Sequence, residues 1–295
     1  MSSATSTAEN KQAVKKQSQL KEIWRRLKKN KIAVIAMFVI IFLVLIAIFA
    51  PLIAPYSYET QDVMRPLEGP SRDHILGTDR LGRDVFSRLL YGAGQSLQMG
   101  FTAVLGAALL GIIIGSIAGY YGGWLDNLLM RILDIYQGIP MFLLTVTLAA
   151  VLGPSLQNAI LAIGIALVPG NARFMRACIL TVREMEYIEA AKSINCSVRR
   201  IIVSHIIPNA IPPMIVSVTM GLGFAVLSGA MLSYIGLGAQ PPTAEWGAMI
   251  SDGRNYLRSE PQLALYPGLC IMVSVLAFNL FGDGLRDALD PRLKT

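Results

Sequence analysis

Charge is scarce in this chain, and the little there is comes in blocks. Of 295 residues only 15% are Asp, Glu, Lys or Arg, while 54% are hydrophobic. Five intervals carry no such charge at all: residues 32–58, 89–125, 135–172, 206–244 and 261–282. An ordinary water-soluble domain is excluded, because runs of this length cannot supply its polar surface. Histidine occurs twice, at His74 and His205, far apart in sequence, which argues against a metal or acid–base site built on imidazole. Three cysteines, Cys178, Cys196 and Cys270, lack metal-ligand spacing and read as small packing residues. No lysine follows a glycine anywhere, so the phosphate-binding loop GxxxxGK[ST] is absent and ATP chemistry is not carried here.

The uncharged runs convert directly into membrane spans. One span needs about 20 apolar residues. The first and last runs hold one each, and so do those beginning at Leu89 and Ile206. The run from Ile135 is too long for one and is broken at Gly153-Pro154-Ser155, so it holds two. The expectation is an all-α integral membrane protein with six transmembrane helices. Lys and Arg set its orientation. Nine lie in residues 1–31, one at Arg131, six in residues 172–205 and three in residues 283–295, against seven on the other side. The positive-inside rule then places both the N- and the C-terminus in the cytoplasm.

The formal net charge of +7 belongs to residues 1–31, a basic tail beside acidic lipid headgroups. Aromatic residues do not interleave with it, so nucleic acid is not the expected partner. A helix is expected around residues 20–29, then a first span over residues 32–54. The long n-region and an apolar stretch above twenty residues describe an uncleaved anchor, not a signal peptide. Residues 55–94 form an external segment, with a second span beginning near Ser96. Residues 95–283 form the transmembrane core and residues 284–295 a cytoplasmic tail.

Within the core, residues 171–209 are the longest charged interval between two long uncharged runs. Arg173, Arg176, Arg183, Lys192, Arg199 and Arg200 sit there with Glu184, Glu186 and Glu189. At 100° per residue, Tyr187, Ile188, Ala190, Ala191 and Ile194 share one arc, opposite Glu186, Glu189, Lys192 and Ser193. Met185 does not fit the pattern. A helix resting on lipid would carry Lys and Arg on its polar face. Two Glu against one Lys suit a basic groove of a partner protein better.

These residues carry a resemblance. Glu189-Ala190-Ala191, with Pro208 further on, resembles the EAA loop of permease subunits in bacterial ABC importers. That family has Gly four residues after the last Ala, where this chain has Asn195. Asn is the usual second choice for the left-handed residue that ends a helix, so a helix–turn is expected all the same. The resemblance implies that residues 184–195 insert into a cleft of a cytoplasmic ATPase subunit, with Glu189 as an ionic contact.

Other motifs agree. Gly77-Thr78-Asp79 followed by Gly82-Arg83-Asp84 resembles the segment before the second span in C-type permeases of dipeptide and oligopeptide importers. LGAQPP with Pro241-Pro242, then Glu245-Trp246-Gly247, resembles the second external segment of that family. Residues 283–290, with Asp283, Arg286, Asp287 and Asp290, match its C-terminal run. The two glycines permit tight turns, and Asp79, Arg83 and Asp84 are expected to cluster. That first segment either closes the outer face or touches a delivered binding protein. Val85, Phe86, Leu89 and Leu90 form an apolar stripe expected to lie along the membrane, with Trp246 anchored at the headgroups. In the third span, Arg131 and Asp134 are spaced to pair on one face, and Gly138 and Pro140 are expected to kink it. Gly100, Gly106, Gly111, Gly115 and Gly119 suit close helix packing, inside the bundle or against a sister permease.

The resemblance implies a type I ABC importer permease fold, with one permease subunit paired to a second. Two ATPase subunits, an external solute-binding protein and a peptide or related small solute complete the set, in a bacterial cell membrane. No cofactor is expected on this chain; ATP is used by the partners. Dipeptides, oligopeptides, glutathione and nickel complexes all remain open as solutes. An ion-coupled carrier would place ionisable groups inside the membrane, and a membrane enzyme would need a nucleophile–base pair or a metal triad. The middles of the spans carry neither.

Overall fold

The computed structural model describes residues 19–289, which are helix and connecting loop apart from one isolated bridge between Thr78 and Asp84. The expectations for residues 1–18 and 290–295, Asp290 among them, lie outside the described residues.

A short α1 (Gln19–Leu27) leads into α2 (Lys31–Ile53), whose start is capped by the Asn30 side chain accepting from the Ala33 N–H at 3.1 Å. After a long loop comes α3 (Val85–Tyr121), then α4 (Gly123–Gln137) and α5 (Met141–Leu152). α6 (Leu156–Arg183) precedes the small α7 (Glu186–Ser193). One turn, α8 (Val198–Arg200), then winds through a π-helical segment, Ile201–Ile206, into α9 (Ile207–Tyr234). A second loop holds α10 (Trp246–Gly253), and α11 (Gln262–Leu289) closes the described chain.

Among the described residues, five helical runs are long and apolar enough to cross a membrane: α2, α3, α6, Val198–Tyr234 and α11. The α4–α5 pair makes a sixth when taken together, bent by 83° at the break holding Gly138 and Pro140. That bend is sharper than a kink, and Pro140 explains why the helix stops there: it has no N–H to continue the ladder. Pro169, Pro212, Pro213 and Pro267, by contrast, sit inside unbroken helices. The wide π turn lies just before Pro208, which offers no N–H to the Ser204 carbonyl. The Ile207 N–H reaches back five residues to Ile202 O, and the Asn209 side chain donates to His205 O at 2.6 Å.

The core forms where α3, α6, α9 and α11 meet, with Met99, Ile163, Val226 and Phe278 almost fully buried. Lipid hydrocarbon is as apolar as leucine, so close packing, not water exclusion, must hold such helices together. α3 and α6 show how. A Cβ on Gly111 would lie 2.5 Å from Asn171 Cβ, one on Gly115 2.4 Å from Ala172 O, and one on Gly119 2.9 Å from Ile179. Gly100 meets Val226 of α9 in the same way, whereas Gly106 faces open space. The small-residue stripe thus packs inside this chain.

The helix that holds the second span reaches back well before Ser96: α3 starts at Val85 and is one 37-residue helix. One expectation needs correction. Val85, Leu89 and Leu90 do not lie along the membrane but are buried in the core beneath the loops. At the other end of α11, Gly284 crosses Ala33 so closely that an added Cβ would clash, and Leu27, Ala33 and Ala288 cluster. The start of α2 and the end of α11 therefore lie on the same side of the bundle. Residues 284–289 continue as helix.

Candidate functional site

The segment between α6 and α9 folds as a short helix on a stalk. Asn195 takes φ +57°, the left-handed conformation its position was expected to need. The Asn195 N–H donates to Lys192 O at 2.9 Å and the Cys196 N–H to Ala191 O at 3.1 Å. This pair of bonds satisfies the last carbonyls of α7 and turns the chain sharply away. Ile188 is fully buried and Ala191 partly so, against Met175, Ile179, Ile201 and Ile206. These two residues hold the helix to its base.

The rest of the expected apolar arc points outward. Tyr187 is 45% and Ile194 79% exposed, and Ala190 is exposed as well. Glu184, Glu186 and Glu189 are also exposed, as is Met185 at the start of the helix. The sequence arc was thus too broad: only its Ile188–Ala191 edge faces the protein. What remains is an outward surface mixing apolar and acidic side chains. Pro208 is not part of that surface; it lies in the first turn of α9.

Arginines of α6 fix the base. Arg176 forms a two-pronged pair with Asp126 of α4, Nε to Oδ1 at 2.6 Å and Nη2 to Oδ2 at 2.5 Å. Arg173 pairs with Asp134 at 2.5 Å. Arg183 donates to the carbonyls of Gly119 and Tyr120 at 3.1 and 2.8 Å, satisfying the end of α3. The expected Arg131–Asp134 pair does not form, because the Asp134 carboxylate reaches Arg173 on another helix.

At the far end of α3, the two motif-bearing loops interlock. Gly77 and Gly82 have φ +79° and +70°, and a Cβ on either would strike backbone of residues 62 or 68. Asp79 accepts from the Leu81 and Arg83 N–H groups at 2.8 and 3.0 Å and from Arg83 Nε at 2.6 Å. Arg83, 2% exposed, reaches on to Asp252 after α10 begins, at 3.1 Å. Arg88 donates to Tyr58 O and to Pro242 O, at 2.9 and 3.3 Å. Pro241-Pro242 is a cis peptide. Asp84 does not join the Asp79–Arg83 cluster; it caps α3 through the Ser87 N–H at 2.7 Å and meets His74 Nδ1 at 3.0 Å.

Glu245 is fully buried, accepting from Ser96 Oγ and from the Ala248 N–H, both at 2.9 Å. Trp246 is not a headgroup anchor. It is 1% exposed, its indole N–H donating to Leu89 O at 3.1 Å, and Gly92 lies against its ring. The motif residues of these loops are therefore the internal fastenings of a cap over the start of α3. Sequence reasoning missed Ser96, Arg88 and Asp252, whose partners lie far along the chain. Around the cap, the Arg65 guanidinium is pushed up, first by its bond to Asp73, and the Tyr58 phenol is pushed up beside Glu59. Among the described residues no cluster of His, Cys, Asp and Glu is arranged to hold a metal ion.

Comparison with known proteins agrees with this architecture. The profile of the binding-protein-dependent transport system inner membrane component matches residues 111–295. That of the N-terminal TM domain of oligopeptide transport permease C matches residues 18–70. The chain is 50% identical over 275 residues to the dipeptide transport system permease protein DppC of Alkalihalophilus pseudofirmus, covering 93% of this chain and 90% of that one. It is 42% identical over 276 residues to the glutathione transport system permease protein GsiD of Pectobacterium atrosepticum, covering 93% and 92%. In three dimensions it resembles the MetNI methionine ABC transporter in inward-facing form, with TM-score 0.57, 20% identity and coverage of 70% of this chain and 98% of that one. An amino acid ABC transporter with histidines gives TM-score 0.53 at 16% identity, over 67% and 92%. These last two speak to the fold alone, the type I importer permease fold. With five helices long enough to cross a membrane, a further candidate in the bent α4–α5 pair, the exposed α7 and two concordant family profiles, the chain belongs to the binding-protein-dependent transport system inner membrane components, as a multi-pass C-type permease of the peptide/nickel ABC importers.

Proposed function

We propose that this permease forms half of the translocation path of an ATP-driven importer of dipeptides and oligopeptides, with a second permease as the other half. α7 is the cytoplasmic handle. Two ATPase subunits grip the surface made by Glu184, Tyr187, Glu189, Ala190 and Ile194, bind and hydrolyse ATP themselves, and leave this chain without a cofactor. An external binding protein delivers solute to the cap at the opposite end, and both termini of the permease lie in the cytoplasm.

The observation that carries the reading is the rigid attachment of an outward-facing α7. It is fastened by the Asn195 turn and by buried Ile188, so a push on it is passed to α6 and α9 and not absorbed. The peptide assignment rests on the 50% identity to a dipeptide permease. The test is Glu189→Lys in cells, read as peptide uptake, membrane insertion and co-purification with the ATPase subunits. Uptake and co-purification should be lost while insertion is kept; normal uptake would remove Glu189 from the contact. Competition by a panel of peptides, glutathione and nickel chelates assigns the solute, and preference for glutathione or nickel would overturn the peptide reading alone.

A further inference from the structure

α4 is a helix of fifteen residues set at a sharp angle to the helix that follows it. α5 and α6 pack against each other across the turn at Gly153, with Ala149, Ala159 and Ala162 all buried in the one core, and α4 departs from α5 by 83°. The register of its ion pairs says the same. Asp126 and Asp134 are about 12 Å apart along α4, yet their partners Arg176 and Arg173 are only about 4.5 Å apart along α6. Helices running side by side would need equal steps. α4 thus crosses α6, at the level where the uncharged part of α6 gives way to its arginines.

Its two sides are chemically distinct. Leu133 and Asp126 are buried against the protein. Outward stand Trp124, Leu128, Ile132 and Ile135, exposed by 74, 45, 45 and 75%, within an arc of about 80° at 100° per residue. Arg131 is exposed on the edge of that arc and has no ion-pair partner among the described residues. Helix faces that pack on other helices in lipid are rich in Gly, Ala and Ser, as α3 is where it meets α6. The outward stripe of α4 contains none of these. Its Trp, Leu and Ile beside a lone cation are the chemistry that a bilayer surface takes up.

We infer that α4 is an interfacial helix, lying in the headgroup layer of the leaflet on the α7 side. Trp124, Leu128, Ile132 and Ile135 dip into the acyl boundary, and Arg131 reaches the lipid phosphates. The Asp126–Arg176 and Asp134–Arg173 pairs then hold the charged end of α6 at a fixed depth, giving the stalk of α7 a stationary reference in the membrane. This holds whatever the solute.

The test uses the assembled importer in nanodiscs containing anionic lipid. Nitroxides are placed singly at 124, 128, 132 and 135 on a chain with its three cysteines replaced, and collision with oxygen and with a nickel chelate gives their depth. All four should be open to oxygen and share one depth within about 5 Å, some 5–10 Å below the phosphates. A depth ramp of about 16 Å from 124 to 135 would mean a crossing helix; closure to both agents would mean a protein partner. Either overturns the inference. Should the cysteine-free chain fail to assemble, the wild-type importer and its Trp124→Phe variant are compared in shallow brominated lipid. The variant should lose the Trp124 share of the quenching, and an unchanged quenching profile would sink the proposal.

Discussion

The backbone N–H of Cys196 donates to the carbonyl of Ala191 at 3.1 Å, across an Asn195 held at φ +57°. That closure decides where α7 stops and how it stands on its base. A β-branched residue resists the left-handed region, at a cost of roughly 1–2 kcal/mol. Asn195→Gly should therefore assemble with the ATPase subunits as the wild type does, while Asn195→Val should lower co-purification several-fold. Equal recovery of the two variants would separate the turn from assembly.

The cap at the other end makes a stability prediction. Asp79 binds two backbone N–H groups and the buried Arg83, so Asp79→Ala leaves a buried guanidinium with one partner fewer. Breaking such a pair costs about 3–5 kcal/mol in buried settings, and the half-exposed Asp252 offsets only part of it. Thermal unfolding in detergent should drop clearly. Arg80→Ala, at an exposed 3.4 Å contact with the same Asp252, should change it by less than about 1 kcal/mol. Similar melts for both would refute the fastening role of Asp79.

What was legible in the sequence was local. Uncharged runs gave the helices, because a bilayer dictates both their length and their composition. Asn195 was legible because a helix stop needs only its own few residues. Asp134 was misread because Arg131, three residues away, is visible in sequence, while Arg173 comes close only after α6 folds back. Trp246 looked like a headgroup anchor for the same reason: nothing near it announces Leu89 O or the space above Gly92. Val85, Leu89 and Leu90 carried the right apolar spacing, but spacing alone does not tell a face turned to lipid from one turned to protein, and Trp246 and Met249 of the same buried cluster lie far along the chain.

The α3–α6 contact yields a paired prediction. A Cβ at position 115 would sit 2.4 Å from Ala172 O, against backbone that cannot yield without shifting a helix, whereas position 106 has nothing within 4 Å. Gly115→Ala should destabilise by about 1–3 kcal/mol, the usual cost of forcing extra volume into packed structure. Gly106→Ala should be neutral or slightly stabilising, as helix propensity favours Ala. Detergent melts and size-exclusion profiles report both, and a tolerated Gly115→Ala would mean that the helices pack less closely than this.

The pairing of Asp126 with Arg176 predicts a coupling that single variants cannot reveal. Each residue alone could matter for other reasons: Asp126 sits in the first turn of α4, and Arg176 lines the junction with α3. A double-mutant cycle on Asp126→Asn and Arg176→Gln isolates the bond between them. A two-pronged, partly buried carboxylate–guanidinium pair should show a coupling of about 1–3 kcal/mol in unfolding. Arg176→Lys should recover only part of it, since an ammonium cannot meet both carboxylate oxygens in the same plane. Additive single effects would mean that α4 is held by its apolar contacts alone, and that the end of α6 is not tied to it through charge.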